Sequence, residues 1–258
     1  GNPISSAACF RFFVLPLLYK SLELPSEKPI IAKLKNNFSK KIKKSYLADK
    51  IIIPCAGLGK RFLKQNIKTP KFLCKAGKNE EVMINLIKNF LPNKNKINLI
   101  TLKKYKSLEK KFKIYKLNNF SKGQADTVYK TLNNIKDSES FFVNSCDNFS
   151  LFNIKLYNKL VKKSDILVFI TDNHETDSNT SEGTWVRSKK NKIQKIWFKS
   201  PKMANTSRLT GSFYFRNKKI FTECFKKAMI SNYKKEIYID NLIKVAVKMK
   251  FNVSCIHD

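Results

Sequence analysis

The chain has 258 residues, 30.0 kDa, with 52 Lys and Arg against 19 Asp and Glu, a formal net charge of +33. Such a length buries a real core in one large or two unequal domains, and 42% hydrophobic residues with 20 Phe and 9 Tyr exclude a disordered chain. The cationic excess is nearly all Lys and runs the whole length, so it reads either as compositional bias or as affinity for an anionic partner: nucleotide, sugar phosphate, nucleic acid or acidic lipid.

Residues 1–48 stand apart. An apolar, helix-like stretch from Ala7 to Leu22 passes through a Pro-containing turn into a Lys-rich segment ending near Lys44. Its longest apolar run, Cys9 to Tyr19, is broken by Arg11 and Pro16 and is too short to span a bilayer. The start at Gly1 carries no clean signal peptide and fits a fragment or a processed product. From Ile51 onward, short β-rich runs alternate with helical patterns. Strands are expected at 51–54, 97–101, 140–145, 165–171, 184–187, 193–198 and 211–216, and helices at 80–91, 105–112, 123–135, 152–163, 217–230 and 236–249. Fully apolar strands separated by helices predict an α/β domain over 50–258 with a mostly parallel central sheet covered on both faces.

The six cysteines, at 9, 55, 74, 146, 224 and 255, are far apart without a C-x-x-C pair. They read as buried thiols in a reducing cytosol, which makes the expected location cytoplasmic. Two histidines and no ligand clustering argue against a zinc site, and His174 falls in a polar stretch that reads as a surface loop. No block concentrates Arg with aromatics, so no specific nucleic-acid partner is expected.

Four pieces carry chemistry. Behind the first strand come Ala56, Gly57, Leu58, Gly59, Lys60 and Arg61. Backbone N–H groups of such a turn point at phosphate oxygens, glycine permits close approach, and the cations supply charge. A plain β-turn is the other reading of this stretch, which lacks the third Gly of a dinucleotide fingerprint and the Gly-Lys-Ser/Thr of a P-loop. Pro70 then fixes the backbone before Lys71, which can reach back to the same phosphates. Gly123-Gln124-Ala125 opens a helix where a flat ring can approach, and Gln124 offers a paired donor and acceptor to a base edge. Asp147 follows an apolar strand, at the carboxyl end where open α/β sheets bind ligands; beside a triphosphate it suits Mg²⁺. An ordinary helix start and an Asx turn are the structural alternatives for the last two.

In order and spacing these pieces resemble the sugar-phosphate nucleotidyltransferases of the glucose-1-phosphate thymidylyltransferase type, which share a strand with a G-x-G-x-R loop, a downstream Pro-Lys, a Gly-x-Ala helix and a strand ending in Asp. The likeness continues in 184–201 (TWVRSKKNKIQKIWFKSP), in Gly211-Ser212-Phe213-Tyr214-Phe215 and in Glu236…Asp240, covering about 50–258. It implies a Rossmann-like three-layer fold behind a short helical extension. It also implies Mg²⁺-dependent transfer of a nucleoside monophosphate from an NTP to a phosphorylated small molecule, most simply a sugar 1-phosphate for surface polysaccharide, with release of pyrophosphate. Carried over, Ala56, Gly57, Gly59, Lys60 and Arg61 would hold the triphosphate, with Arg61, Lys71 and Lys199 catalytic. Gln124 and Ala125 would contact the base, Asp147 and Asp240 the metal, and Lys199, Gly211 and Glu236 the acceptor. Departures are Phe198 in place of Glu, Ser200 between Lys199 and Pro201, and Gln124 in place of a small residue. Phosphocholine or molybdenum cofactor as acceptor, and a non-catalytic basic binding protein, are the alternative readings; oligomers fit any of them. Separately, Gly1-Asn2-Pro3 with the CFRFFVLPLL run resembles a C-terminal fragment of molybdopterin molybdotransferases, from which no activity carries over.

Overall fold

A computed structural model of the chain describes residues 47–258, apart from 58, 60, 61, 64, 77–80, 92–95, 106, 107, 110, 149, 173–182 and 233–235. The N-terminal extension over 1–46 thus lies outside the described residues. Eleven strands occur among them. β1 (Lys50–Pro54), β4 (Ile97–Leu102), β5 (Lys113–Leu117) and β6 (Phe141–Asn144) are joined by β7 (Ile166–Thr171), β8 (Gly183–Lys189), β9 (Lys192–Ser200), β10 (Ser207–Phe215) and β11 (Val253–His257) in one nine-stranded sheet. β2 (Lys75–Ala76) and β3 (Glu81–Val82) make a separate two-stranded ribbon. The helices are α1 (Met83–Phe90), α2 (Gln124–Tyr129), α3 (Ile154–Val161), α4 (Lys218–Asn232) and α5 (Ile239–Lys248).

The expectation of a mostly parallel, Rossmann-like sheet is overturned. Strand order is β5-β4-β1-β6-β10-β7-β11-β9-β8, and β8 pairs back onto β10, so β10, β7, β11, β9 and β8 close a five-stranded barrel. β5, β4, β1 and β6 run parallel, as do β7 and β11, but β10 is antiparallel to β6, β7 and β8, and β9 to β8 and β11. The physical reason lies in the connections. Parallel neighbours need a crossover of a dozen residues or more, which the first half supplies. β8 instead turns into β9 through Lys190 and Asn191, both at positive φ (50° and 61°), a two-residue geometry that returns the chain antiparallel.

Period-two burial builds two cores. Ile52, Val143, Val168 and Phe213 face α2, α4 and α5 through Val128, Phe221, Phe225 and Leu242. Their neighbours Ile51, Ile53, Phe142, Phe169 and Tyr214 face the other way, onto Ile84 and Ile87 of α1 and Tyr157 of α3. One-residue alternation in strands apolar at every position thus feeds both layers. Leu47 and Ala48 are buried in the second core, where the Tyr157 hydroxyl donates to the Leu47 carbonyl. Among the described residues no helix is long and apolar enough to cross a membrane.

Candidate active site

An open cleft of about 620 Å³ lies where β1, β4 and β6 end and the barrel begins. β1 runs out at Pro54, and the chain bends through Gly57 and Gly59, both of which line the cleft. Gly59 sits at φ +65°, where a side chain is strained, and its carbonyl accepts the N–H groups of Phe62 (2.9 Å) and Leu63 (3.2 Å). Ala56 is fully buried behind this wall; its carbonyl accepts the backbone N–H of Ser121 at 3.2 Å and its hydroxyl at 3.3 Å. Lys60 and Arg61 lie outside the described residues.

Pro70, extended at φ −61°, delivers Lys71 at the start of a single 3-10 turn. Lys71 Nζ donates to Asp147 Oδ2 at 3.0 Å and sits 5.3 Å from the Phe62 ring centroid. Asp147 lies three residues past the end of β6, in the turn that follows, so a parallel strand end carries the carboxylate to the cleft. Beneath it, burial holds the Cys55 thiol well above its ordinary range, reinforced by the neighbouring Cys146 thiol and the Asp147 charge.

Gln124 opens α2 and donates through Nε2 to Ser145 Oγ at 3.0 Å. Ala125 is fully buried and does not line the cleft; its N–H donates to the Ile237 carbonyl at 3.1 Å, while Ile237 N–H donates to Lys122 O at 2.8 Å. Gly123, at φ +116°, makes this clamp possible, since a Cβ there would lie 2.5 Å from Ile237 O and 2.8 Å from Glu236 Cγ. The helix start thereby joins the front half of the cleft to Glu236 and Asp240.

The far end is built by the barrel. β10 bulges between Leu209 and Phe213, with Gly211 at φ +99° and its carbonyl accepting Ser145 N–H at 3.0 Å. A Cβ on Gly211 would meet Ser145 Oγ at 2.7 Å. Lys199, also at positive φ (46°), lays Nζ 4.5 Å from the Tyr238 ring centroid and 5.6 Å from that of Phe198. The Tyr238 hydroxyl donates to Glu236 Oε2 at 2.8 Å. Asp240 lies in the first turn of α5; burial raises its carboxyl pKa, against the Thr184 hydroxyl and the charges of Arg208 and Lys199, which lower it.

Gly57, Gly59, Lys71, Gln124, Asp147, Lys199, Gly211, Glu236 and Asp240 therefore share one cleft, and Ala56 and Ala125 lie behind it. Ser145, Thr184, Arg208 and Tyr238 line it without having been singled out. Arg208 had a signal: it is an arginine inside an otherwise uncharged strand, 4% exposed, with its guanidinium 5.6 Å from the Trp185 ring centroid. Among the described residues no cluster of three or more His, Cys, Asp and Glu forms. Asp147 and Asp240 both line the cleft, and carboxylate oxygen is the donor type that Mg²⁺ takes one or two at a time alongside phosphate oxygens.

No protein-family model and no curated protein matches the sequence. Solved structures do match in fold. The nucleoside-diphosphate-sugar pyrophosphorylase from Vibrio cholerae RC9 is 18% identical with a TM-score of 0.61, covering 81% of this chain and 91% of that one. The inositol-1-phosphate CTP transferase from T. maritima is 18% identical, TM-score 0.62, covering 83% and 86%. A Bacillus anthracis structure assigned as a glucose-1-phosphate thymidylyltransferase is 17% identical, TM-score 0.62, covering 81% and 86%. At such identity the likeness establishes the fold. The resemblance of the first 48 residues to molybdopterin molybdotransferases finds no support in these comparisons.

Proposed function

We propose that the chain is a nucleotidyltransferase that moves a nucleoside monophosphate from an NTP to a phosphorylated small molecule, with a sugar 1-phosphate as acceptor. The observation that carries this reading is the convergence on one cleft of a glycine bend, a Lys71–Asp147 pair and a second carboxylate and lysine, from segments far apart in sequence. The fold shared with three structures named for NDP-sugar, inositol-phosphate and sugar-phosphate nucleotidyl chemistry supports it.

The chemistry needs no nucleophile from the protein. The acceptor's phosphate oxygen attacks the α-phosphorus in line, the bond to the β-phosphate oxygen breaks, and pyrophosphate leaves. The protein contributes orientation and charge compensation. The glycine bend takes the triphosphate, Lys71 compensates charge on the leaving pyrophosphate, and Gln124 addresses the base. Lys199 and Glu236 orient the acceptor. Asp147 and Asp240 would hold Mg²⁺, which when bound neutralises triphosphate charge and polarises the reacting phosphoryl group. For Asp147 this requires that Lys71 exchange its carboxylate partner for phosphate oxygens. His257, paired with Asp172 at 2.9 Å, is not on the cleft.

Pyrophosphate release from the four NTPs, with Mg²⁺ and a panel of sugar 1-phosphates, tests the proposal; silence across the panel from folded protein refutes it. One contact favours a second acceptor for the same panel. Lys199 rests over the Tyr238 ring, and once Lys199 turns to the acceptor phosphate that cation-accepting face suits a quaternary ammonium. Turnover with phosphocholine alone would select that reading.

A further inference from the structure

Among the described residues six large apolar side chains are exposed: Leu63, Ile67, Phe120, Leu151, Met203 and Ile230. Three of them, Leu63, Ile67 and Phe120, line the same cleft. Single exposed apolar groups are ordinary, whereas three of them lining one cleft mark a contact surface. Both halves of this surface hang on the glycine bend. Leu63 follows it, its N–H bound to the Gly59 carbonyl, and Ile67 N–H donates to Phe62 O at 2.9 Å. Phe120 is held at the bend's other end, because Ser121 donates to Ala56 O through both its N–H and its hydroxyl. Gln124 lies four residues further along the same segment. Lys104 Nζ stands 5.6 Å from the Phe120 ring centroid, yet the residue remains 45% exposed, leaving ring surface for a flat partner.

We propose that Phe120 is the stacking platform for the nucleobase of the NTP, with Leu63 and Ile67 completing an apolar lip around it. This rests on the nucleotidyltransferase reading. A triphosphate in the bend puts its nucleoside within reach of what is tied to either end of that bend, and Phe120 is tied at the Ala56 end through Ser121. Every base has a π-face, so stacking here supplies affinity without choosing among bases; the amide of Gln124 is left to discriminate.

The test measures binding of each NTP and of inorganic tripolyphosphate to the wild-type chain, Phe120→Ala and Phe120→Trp, followed by steady-state kinetics. Phe120→Ala is expected to weaken NTP binding about ten-fold or more, as loss of a base–aromatic stack does. Tripolyphosphate binding stays unchanged, Phe120→Trp retains NTP affinity, and the loss appears in KM for the NTP with kcat within about two-fold. Equal loss for NTP and tripolyphosphate would overturn the proposal, since the bend itself would then be disturbed. Unaltered NTP affinity, or a change confined to KM of the acceptor, would overturn it as well. If the wild-type chain binds neither NTP nor tripolyphosphate, the functional reading falls with it; NTP binding indifferent to Phe120 removes the stacking assignment alone.

Discussion

Asp240 joins two demands that pull apart. Burial raises its carboxyl, so the folded state holds the proton more tightly than the unfolded chain does. The ionised form therefore costs stability in full above that raised value, and the cost shrinks as pH falls from there toward the ordinary carboxylate range, below which it is gone. Asp240→Asn is expected to melt higher than wild type at pH 8 in metal-free buffer, with the difference shrinking toward pH 4, while pyrophosphate release is lost. Thermal melts across that pH range check the sign. The Lys71–Asp147 pair behaves differently, since both partners are about a quarter to a fifth exposed. Such a pair contributes about 1 kcal/mol or less to stability. Lys71→Met should leave the melting temperature nearly unchanged and lower turnover by about a hundred-fold or more, as loss of a charge partner in a transition state does. Cys224, whose thiol burial pushes up to about 12, should resist alkylation at pH 8 until the chain unfolds.

At the scale of elements, the cleft is held in register by two backbone joints. One is the β10 bulge at Gly211, the other the α2 start at Gly123, and each lies in left-handed backbone with a close neighbour. Alanine at either position carries about 1–2 kcal/mol of strain, equivalent to a melting-temperature loss of about 2–8 °C, before any clash is counted. Gly211→Ala must also displace Ser145, the acceptor of the Gln124 amide, so NTP affinity should fall with stability. Gly59→Ala supplies the contrast, because a Cβ there meets nothing within 4 Å. It should show strain alone, and calorimetry on the three variants separates the two contributions.

For the whole molecule, a charge of +33 raises the local concentration of any polyanion, and ionic strength screens that effect. KM for the NTP should rise several-fold between about 0.05 and 0.3 M salt while kcat stays level. Were the chain instead a basic binding protein, Asp147→Ala would leave its salt-sensitive affinity for nucleic acid intact. The sheet explains how distant segments reach one cleft: the parallel strands β1, β4 and β6 bring their carboxyl ends to it, and the closed barrel brings Lys199, Arg208 and Gly211.

Much of this was legible in the amino-acid order. β1, β4, β6 and β7 announce themselves as apolar runs because both of their faces are buried. β5 was not legible: its Lys113 and Lys116 are exposed at the sheet edge, and the helix expected over 105–112 falls in part outside the described residues. β11, a five-residue strand close behind α5, went unread as well. Glycine, lysine and aspartate positions specified which groups could meet a phosphate, since those are properties of side chains and local turns. Strand direction and neighbourhood were decided only in three dimensions, because alternation tells a strand which faces are buried and not which strand lies beside it. That is why the barrel, and the entry of Arg208 and Tyr238 into the cleft, came from the fold.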